Sequence, residues 1–128
     1  MVCAQNPKAA AIDKALAVCE KKQGAYTRGE AECLSTALEA WEKDVADTYN
    51  EIRKLLSNDV FKSLEAGQRS WSEYRDQEFA FIGELFKNKR GTMFVPIRIN
   101  YRIAIVKARA LELETYAHRI NRSQRSED

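Results

Sequence analysis

The residues able to do chemistry gather in one stretch, AGQRSWSEYRDQEFAF, from Ala66 to Phe81. Steps of three and four from Leu64 give Gln68, Trp71, Arg75, Glu78 and Ile82, the spacing of one helix face. An amide and a guanidinium interrupt that apolar stripe, and such groups are costly in a core unless paired. Three chemistries fit the pattern: a catalytic constellation, a displayed binding patch, or a polar clasp between helices. A clasp needs partners on other segments, and RALELE offers Glu112 and Glu114 while an earlier segment offers Asp44 and Asp47. Arg75 can grip a carboxylate through two parallel N–H bonds. Trp71 adds apolar area and one N–H that must be satisfied. The residues favour the clasp, with Gln68, Trp71 and Arg75 holding helices in register and a displayed binding patch as the alternative.

Other reactive groups are sparse. His118 is the sole histidine, four residues after Glu114. A di-iron bundle requires two Glu-x-x-His motifs and further carboxylates, so a surface histidine is the simpler reading. The chain lacks GxSxG, HExxH, a phosphate loop and GxGxxG. Its many carboxylates lie on highly charged helices, where they are usually a solvated face. The expectation is a non-enzymatic protein with no catalytic residue, no metal and no cofactor. Lys87 to Arg90 and Arg119, Arg122 and Arg125 lack the aromatic interleaving of a nucleic-acid reader. No nucleic-acid partner is expected, and the loop reads as a solvated connector.

These residues must be positioned by helices. The 128 residues are 45% hydrophobic and 31% charged, with five glycines and two prolines. This composition fits one soluble domain able to bury a core, rich in helix formers. The net charge of +2 is mixed in sign, and no apolar run nears the roughly 18 residues of a membrane span.

Four helical segments are legible. The first runs from about Pro7 to Lys22, with Ile12, Leu16 and Cys19 on one face and Pro7 in the first turn. The second opens at Thr27, which with Glu30 has the spacing of a capping box. Its stripe is Leu34, Ala37, Leu38, Trp41, Val45, Tyr49, Ile52, Leu55 and Leu56. Ser57-Asn58-Asp59 breaks the chain and caps a third helix, from about Val60 to Phe86, carrying Val60, Leu64, Trp71, Phe79, Ile82 and Phe86. Thr92 can cap the fourth, with Pro96 near its first turn and Ile97, Tyr101, Ala104, Ile105, Ala108, Leu111 and Thr115 as its stripe.

Short links make neighbouring helices antiparallel. The fold class expected is all-α: an antiparallel bundle of three to four helices with long central members. A shorter N-terminal helix packs across one end. Residues 7–120 form the single domain, 1–6 a flexible N-terminus or the remnant of an export signal, and 121–128 a polar tail that frays. Of Cys3, Cys19 and Cys33, none lies in a CxxC. Cys19 with Cys33 is the best candidate for one disulfide, worth about 3 kcal/mol for a loop of about 15 residues; three reduced thiols are the alternative.

The element Gln68-x-x-Trp71-x-x-Tyr74-Arg75-Asp76 resembles the central motif of small secreted bacterial helical proteins of the LprI lysozyme-inhibitor family. Upstream, TRGEAECLSTALEAWEKDVADTY, Thr27 to Tyr49, is similar to that family's pattern of Cys, Ala, aromatic and Tyr. Downstream, Gly91-Thr92-Met93 and Arg109 to Glu114, with Arg109 and Glu112 as its motif residues, resemble its closing segment. The resemblance spans about Cys19 to Tyr116 and implies an exported helical domain, periplasmic or secreted, with Cys19 and Cys33 bridged. It also implies lysozyme or another envelope protein as partner. The commoner members carry a further cysteine where Phe79 stands here, so packing of Phe79, Ile82 and Tyr101 must replace a second bridge. An inhibitor of a basic enzyme profits from negative potential, which the acidic run Glu30 to Glu42 can supply locally in a chain of pI near 8.4. A structural or interaction module of the envelope is the second reading.

Overall fold

The computed structural model describes residues 7–24 and 27–127. The N-terminal segment 1–6 with Cys3, and the side chain of Thr27 with its capping box, lie outside the described residues. Four helices follow in order: α1 (Pro7–Gln23), α2 (Thr27–Leu55), α3 (Asn58–Phe86) and α4 (Phe94–Glu127). Among the described residues there is no strand.

α1 begins on Pro7, whose missing N–H costs nothing in a first turn. It ends where Gly24 takes a left-handed φ of 63° and donates its N–H to the Glu20 carbonyl at 3.1 Å. That backbone conformation suits glycine at a helix end. The helix buries Ala9 and half-buries Ile12, Leu16 and Cys19. The Cys19–Cys33 disulfide, Cα–Cα 5.7 Å, ties its C-terminal end to the beginning of α2. At the other end Lys8 reaches Glu51 at 3.4 Å. α1 therefore lies antiparallel along α2 rather than across an end of the bundle. A 17-residue helix is about 25 Å long, enough to cover most of the apolar stripe that α2 offers.

α2 and α4 form the central pair. α2 buries Leu34, Ala37, Trp41, Val45 and Ile52, and α4 buries Ile103, Val106, Ala110 and Leu113. The fourth helix corrects the expected stripe. Ile97, Tyr101, Ala104, Ala108 and Thr115 are exposed. The face turned to the core carries Ile99, Ile103, Val106, Ala110, Leu113, Ala117 and Ile120. These alternate steps of four and three, the seven-residue repeat that keeps one seam against a partner helix. α4 is apolar on two sides, and α2 takes the side with the unbroken repeat.

Ser57 caps α3, its hydroxyl accepting the Val60 N–H at 3.4 Å. Val60, placed on the third stripe by its spacing, is instead exposed in the first turn of α3. α3 packs chiefly on α4 and runs antiparallel to it: Phe86 meets Tyr101 at 5.9 Å between ring centroids, and Arg102 lies over Phe79 at 5.4 Å. Ile82 is its one fully buried residue. The place of a second bridge is thus taken by Ile82, by Phe79 under Arg102, and by Tyr101 on Phe86. Gly91, with φ 112°, turns the chain into α4. Its carbonyl and that of Thr92 accept the N–H groups of Phe94 and Val95. Thr92 acts there through its backbone and stands one residue outside the position expected of a cap. α4 continues through the polar segment after Asn121 to Glu127.

Candidate functional site

The motif residues divide between two places. Gln68, on the inner side of α3, accepts a hydrogen bond at Oε1 from Arg109 Nε of α4 at 2.9 Å. Arg109 Nη1 also donates to Glu112 Oε1, one turn along its own helix. With its side chain only 10% exposed, Arg109 is the cation that joins α3 to α4.

Arg75 does not play that part. Its Nε and Nη2 both donate to Asp76 Oδ1, at 3.1 and 3.0 Å, and its guanidinium lies 5.2 Å from the Trp71 ring centroid. The expected pairing with Asp44, Asp47, Glu112 or Glu114 is corrected: among the described residues Arg75 is held entirely by its own helix. The physical reason is reach. Asp76 is its neighbour in sequence and Trp71 lies one turn back on the same helix, so Arg75, with 29% of its side chain exposed, satisfies itself at the surface. Tyr74, Thr92 and Met93 are exposed, away from both contacts.

Asp44 and Glu114 are not free partners for an arginine because they face each other. Both are buried, Asp44 on α2 and Glu114 on α4. Among the described residues no donor reaches either oxygen of Asp44 or Oε1 of Glu114, and no acceptor takes the Trp41 Nε1 N–H nearby on α2. Kept protonated by burial, the Glu114 carboxyl donates to Asp44 and supplies the missing bond. Burial first, then the hydrogen bond and negative charge of Asp44, raise the Glu114 carboxyl to about 8, partly opposed by Lys8. Lys107 flanks the pair's neighbourhood, bonding Asp13 of α1 at 3.1 Å while lying over the Trp41 ring at 5.3 Å. Spacing alone missed this acid pair, since Asp44 falls between Trp41 and Val45 and reads as the polar edge of a stripe. The inward-facing signal was Thr48, which continues the same buried side as Asp44.

Glu114 is turned in to Asp44, whereas His118 is exposed, so the two share no ligand face. Among the described residues no three His, Cys, Asp or Glu side chains gather as a metal site. A cavity of about 210 Å³ between α1 and α2 is lined mainly by apolar groups, including Ile12, Leu16, Ala37 and the disulfide. None of its lining residues is titratable.

Helices stapled by one disulfide and clasped through Gln68–Arg109–Glu112 define an all-helical domain whose polar contacts join elements to one another. The chain belongs to the LprI family: the family model described as lysozyme inhibitor LprI matches residues 19–113. In fold it is similar to the crystal structure of an uncharacterized protein from Burkholderia thailandensis, with a TM-score of 0.77 and 24% identity over 94% of this chain. The chain spans 58% of the length of that protein. No curated protein sequence matches it.

Proposed function

We propose that this chain is an exported, non-enzymatic binding protein of the cell envelope that acts on lysozyme as an inhibitor. The observation that carries the reading is membership in the LprI family across residues 19–113, a span holding both bridged cysteines and both halves of the α3–α4 clasp. A disulfide is the economical staple of a small domain in an oxidising compartment, which supports a periplasmic or secreted location. No helix among the described residues is long and apolar enough to cross a membrane. The motif residues Gln68, Arg109 and Glu112 serve positioning, so the inhibitory surface lies elsewhere on the helices. The outer side of α2, with exposed Glu32, Glu39 and Glu42, offers negative groups to a basic enzyme.

Titration of the protein into lysozyme acting on cell-wall substrate, beside direct binding at physiological salt, tests the reading. Stoichiometric inhibition is expected. Absence of both inhibition and binding at tens of micromolar favours the second reading, an envelope interaction module without inhibitory activity. One observation already fits that module: Trp71, Arg75 and Asp76 satisfy one another on α3.

A further inference from the structure

α4 carries a second seam. Ile97, Tyr101, Ala104, Ala108, Leu111 and Thr115 follow one another in steps of four, three, four, three and four. That seven-residue spacing keeps one face against a partner helix. The run is shorter than the buried seam and closes on the polar Thr115. It faces away from α2: Leu111 is half-buried and the other five residues are exposed, Tyr101 by 53% and Ile97 by 37%. Phe86 of α3 reaches its edge at Tyr101. The alanine centre is open.

The seam is complementary to itself. Its positions are symmetric about Val106. Laid antiparallel on a second copy, Ile97 meets Thr115, Tyr101 lies beside Leu111, and Ala104 lies beside Ala108; a two-fold axis repeats each layer. Two alanine layers at the middle allow the close end of the usual 8–10 Å helix spacing. One flank carries Arg98, Ile105 and Glu112, seven residues apart. Antiparallel helices set like flanks together, so Ile105 meets its own copy and Arg98 meets Glu112 of the second copy, twice. Arg98 has no anionic partner among the described residues. Glu112 gives Oε1 to Arg109 and stays 51% exposed. The other charges along this part of α4 are turned elsewhere: Lys107 to Asp13 of α1, Arg102 and Arg109 to α3, and Glu114 to Asp44. Arg119 falls beyond the paired run.

We infer that the exposed seam of α4 binds a second copy of this chain, antiparallel, in a two-fold dimer. An unrelated helix would need matching layers and matching charges of its own, whereas this chain supplies both halves of every layer and both members of every flanking pair. One helix on one helix is smaller than a permanent dimer interface, so the association is reversible. Because the seam faces away from α2, the acidic side of α2 stays open in each copy. The inference goes beyond the inhibitor reading and does not rest on it.

The test is sedimentation equilibrium of the full chain from micromolar to millimolar concentration, repeated on Cys3→Ser to set aside a bridge between chains. A monomer–dimer equilibrium is expected in both. Ala104→Glu should weaken it about tenfold or more, since it buries a carboxylate against Ala108 of the second copy, with unchanged circular dichroism because Ala104 is exposed. Arg98→Glu and Glu112→Arg should each weaken it about tenfold by setting like charges together at both ends. Mixed, these two variants should associate as the parent does, because each then meets its opposite charge. A chain monomeric throughout overturns the inference, as does a dimer indifferent to Ala104→Glu. A mixture that fails to associate overturns the antiparallel register and the inference with it. A chain monomeric alone that loses lysozyme binding through Ala104→Glu gives this face to lysozyme and also overturns it. Inhibition retained by monomeric Ala104→Glu leaves the inhibitor reading standing by itself.

Discussion

Replacing Glu114 with glutamine should change how stability depends on pH, and the direction follows from where the carboxyl sits. In the unfolded chain it gives up its proton near 4.5, and in the folded protein at about 8. Between those values the folded state holds a proton that the unfolded state has released, so stability falls as pH rises through the window. At roughly 1.4 kcal/mol per pH unit, the upper bound is about 5 kcal/mol, and a loss of a few kcal/mol is expected. The Glu114→Gln carboxamide keeps a donor for Asp44 and has no proton to lose. At pH 5 the variant should match the parent within about 1 kcal/mol. At pH 9 it should be the more stable of the two. Urea unfolding followed by circular dichroism from pH 4 to 9 reads the slope, with exposed Glu73→Gln as control. Parallel slopes for parent and Glu114→Gln would refute the retained Glu114 proton, because every other titrating group is common to both chains.

Arg109→Ala should cost about 1–3 kcal/mol, since it strands Gln68 Oε1 in a part-buried gap, whereas Arg75→Ala should cost under about 1 kcal/mol because its ion pair is local and partly solvated. Chemical denaturation of the two variants decides which arginine joins the helices. Cys33→Ser should lower stability by about 3 kcal/mol, and reducing agent should bring the parent to a similar midpoint. Val106→Ala should cost about 2 kcal/mol, and Ile97→Ala about 0.5 kcal/mol or less. Equal losses from the last two would return the buried seam of α4 to the other stripe.

Helix number, the ends of the first helix near Lys22 and of the third at Phe86, the break at Ser57, and the inward face of α2 were legible because local signals agreed with tertiary packing there. α4 was not, for a physical reason. A helix apolar on two sides is ambiguous to any three-or-four spacing, and only the unbroken alternation from Ile99 to Ile120 distinguishes the seam that α2 selects. The clasp was half legible. Gln68 needed a partner on another helix and has one, but the cation is Arg109, supplied from across the gap. Arg75 has an acidic neighbour in sequence at Asp76, and a residue that can satisfy itself locally does not reach across. The buried acid pair was hidden for the opposite reason: two carboxyls that face each other repel in any charge-based reading until one is allowed to keep its proton.

α4 serves both neighbours at once, turning Val106, Ala110 and Leu113 toward α2 while Arg102 and Arg109 reach α3. Each inserted residue in a helix rotates everything after it by about 100°. An insertion between Arg102 and Arg109 would therefore swing the seam off α2 and Arg109 off Gln68 in a single step. The connector from Lys87 to Met93 bears no such double duty and is exposed throughout. Across related chains, length should be fixed inside the first half of α4 and should drift at that connector and between α1 and α2.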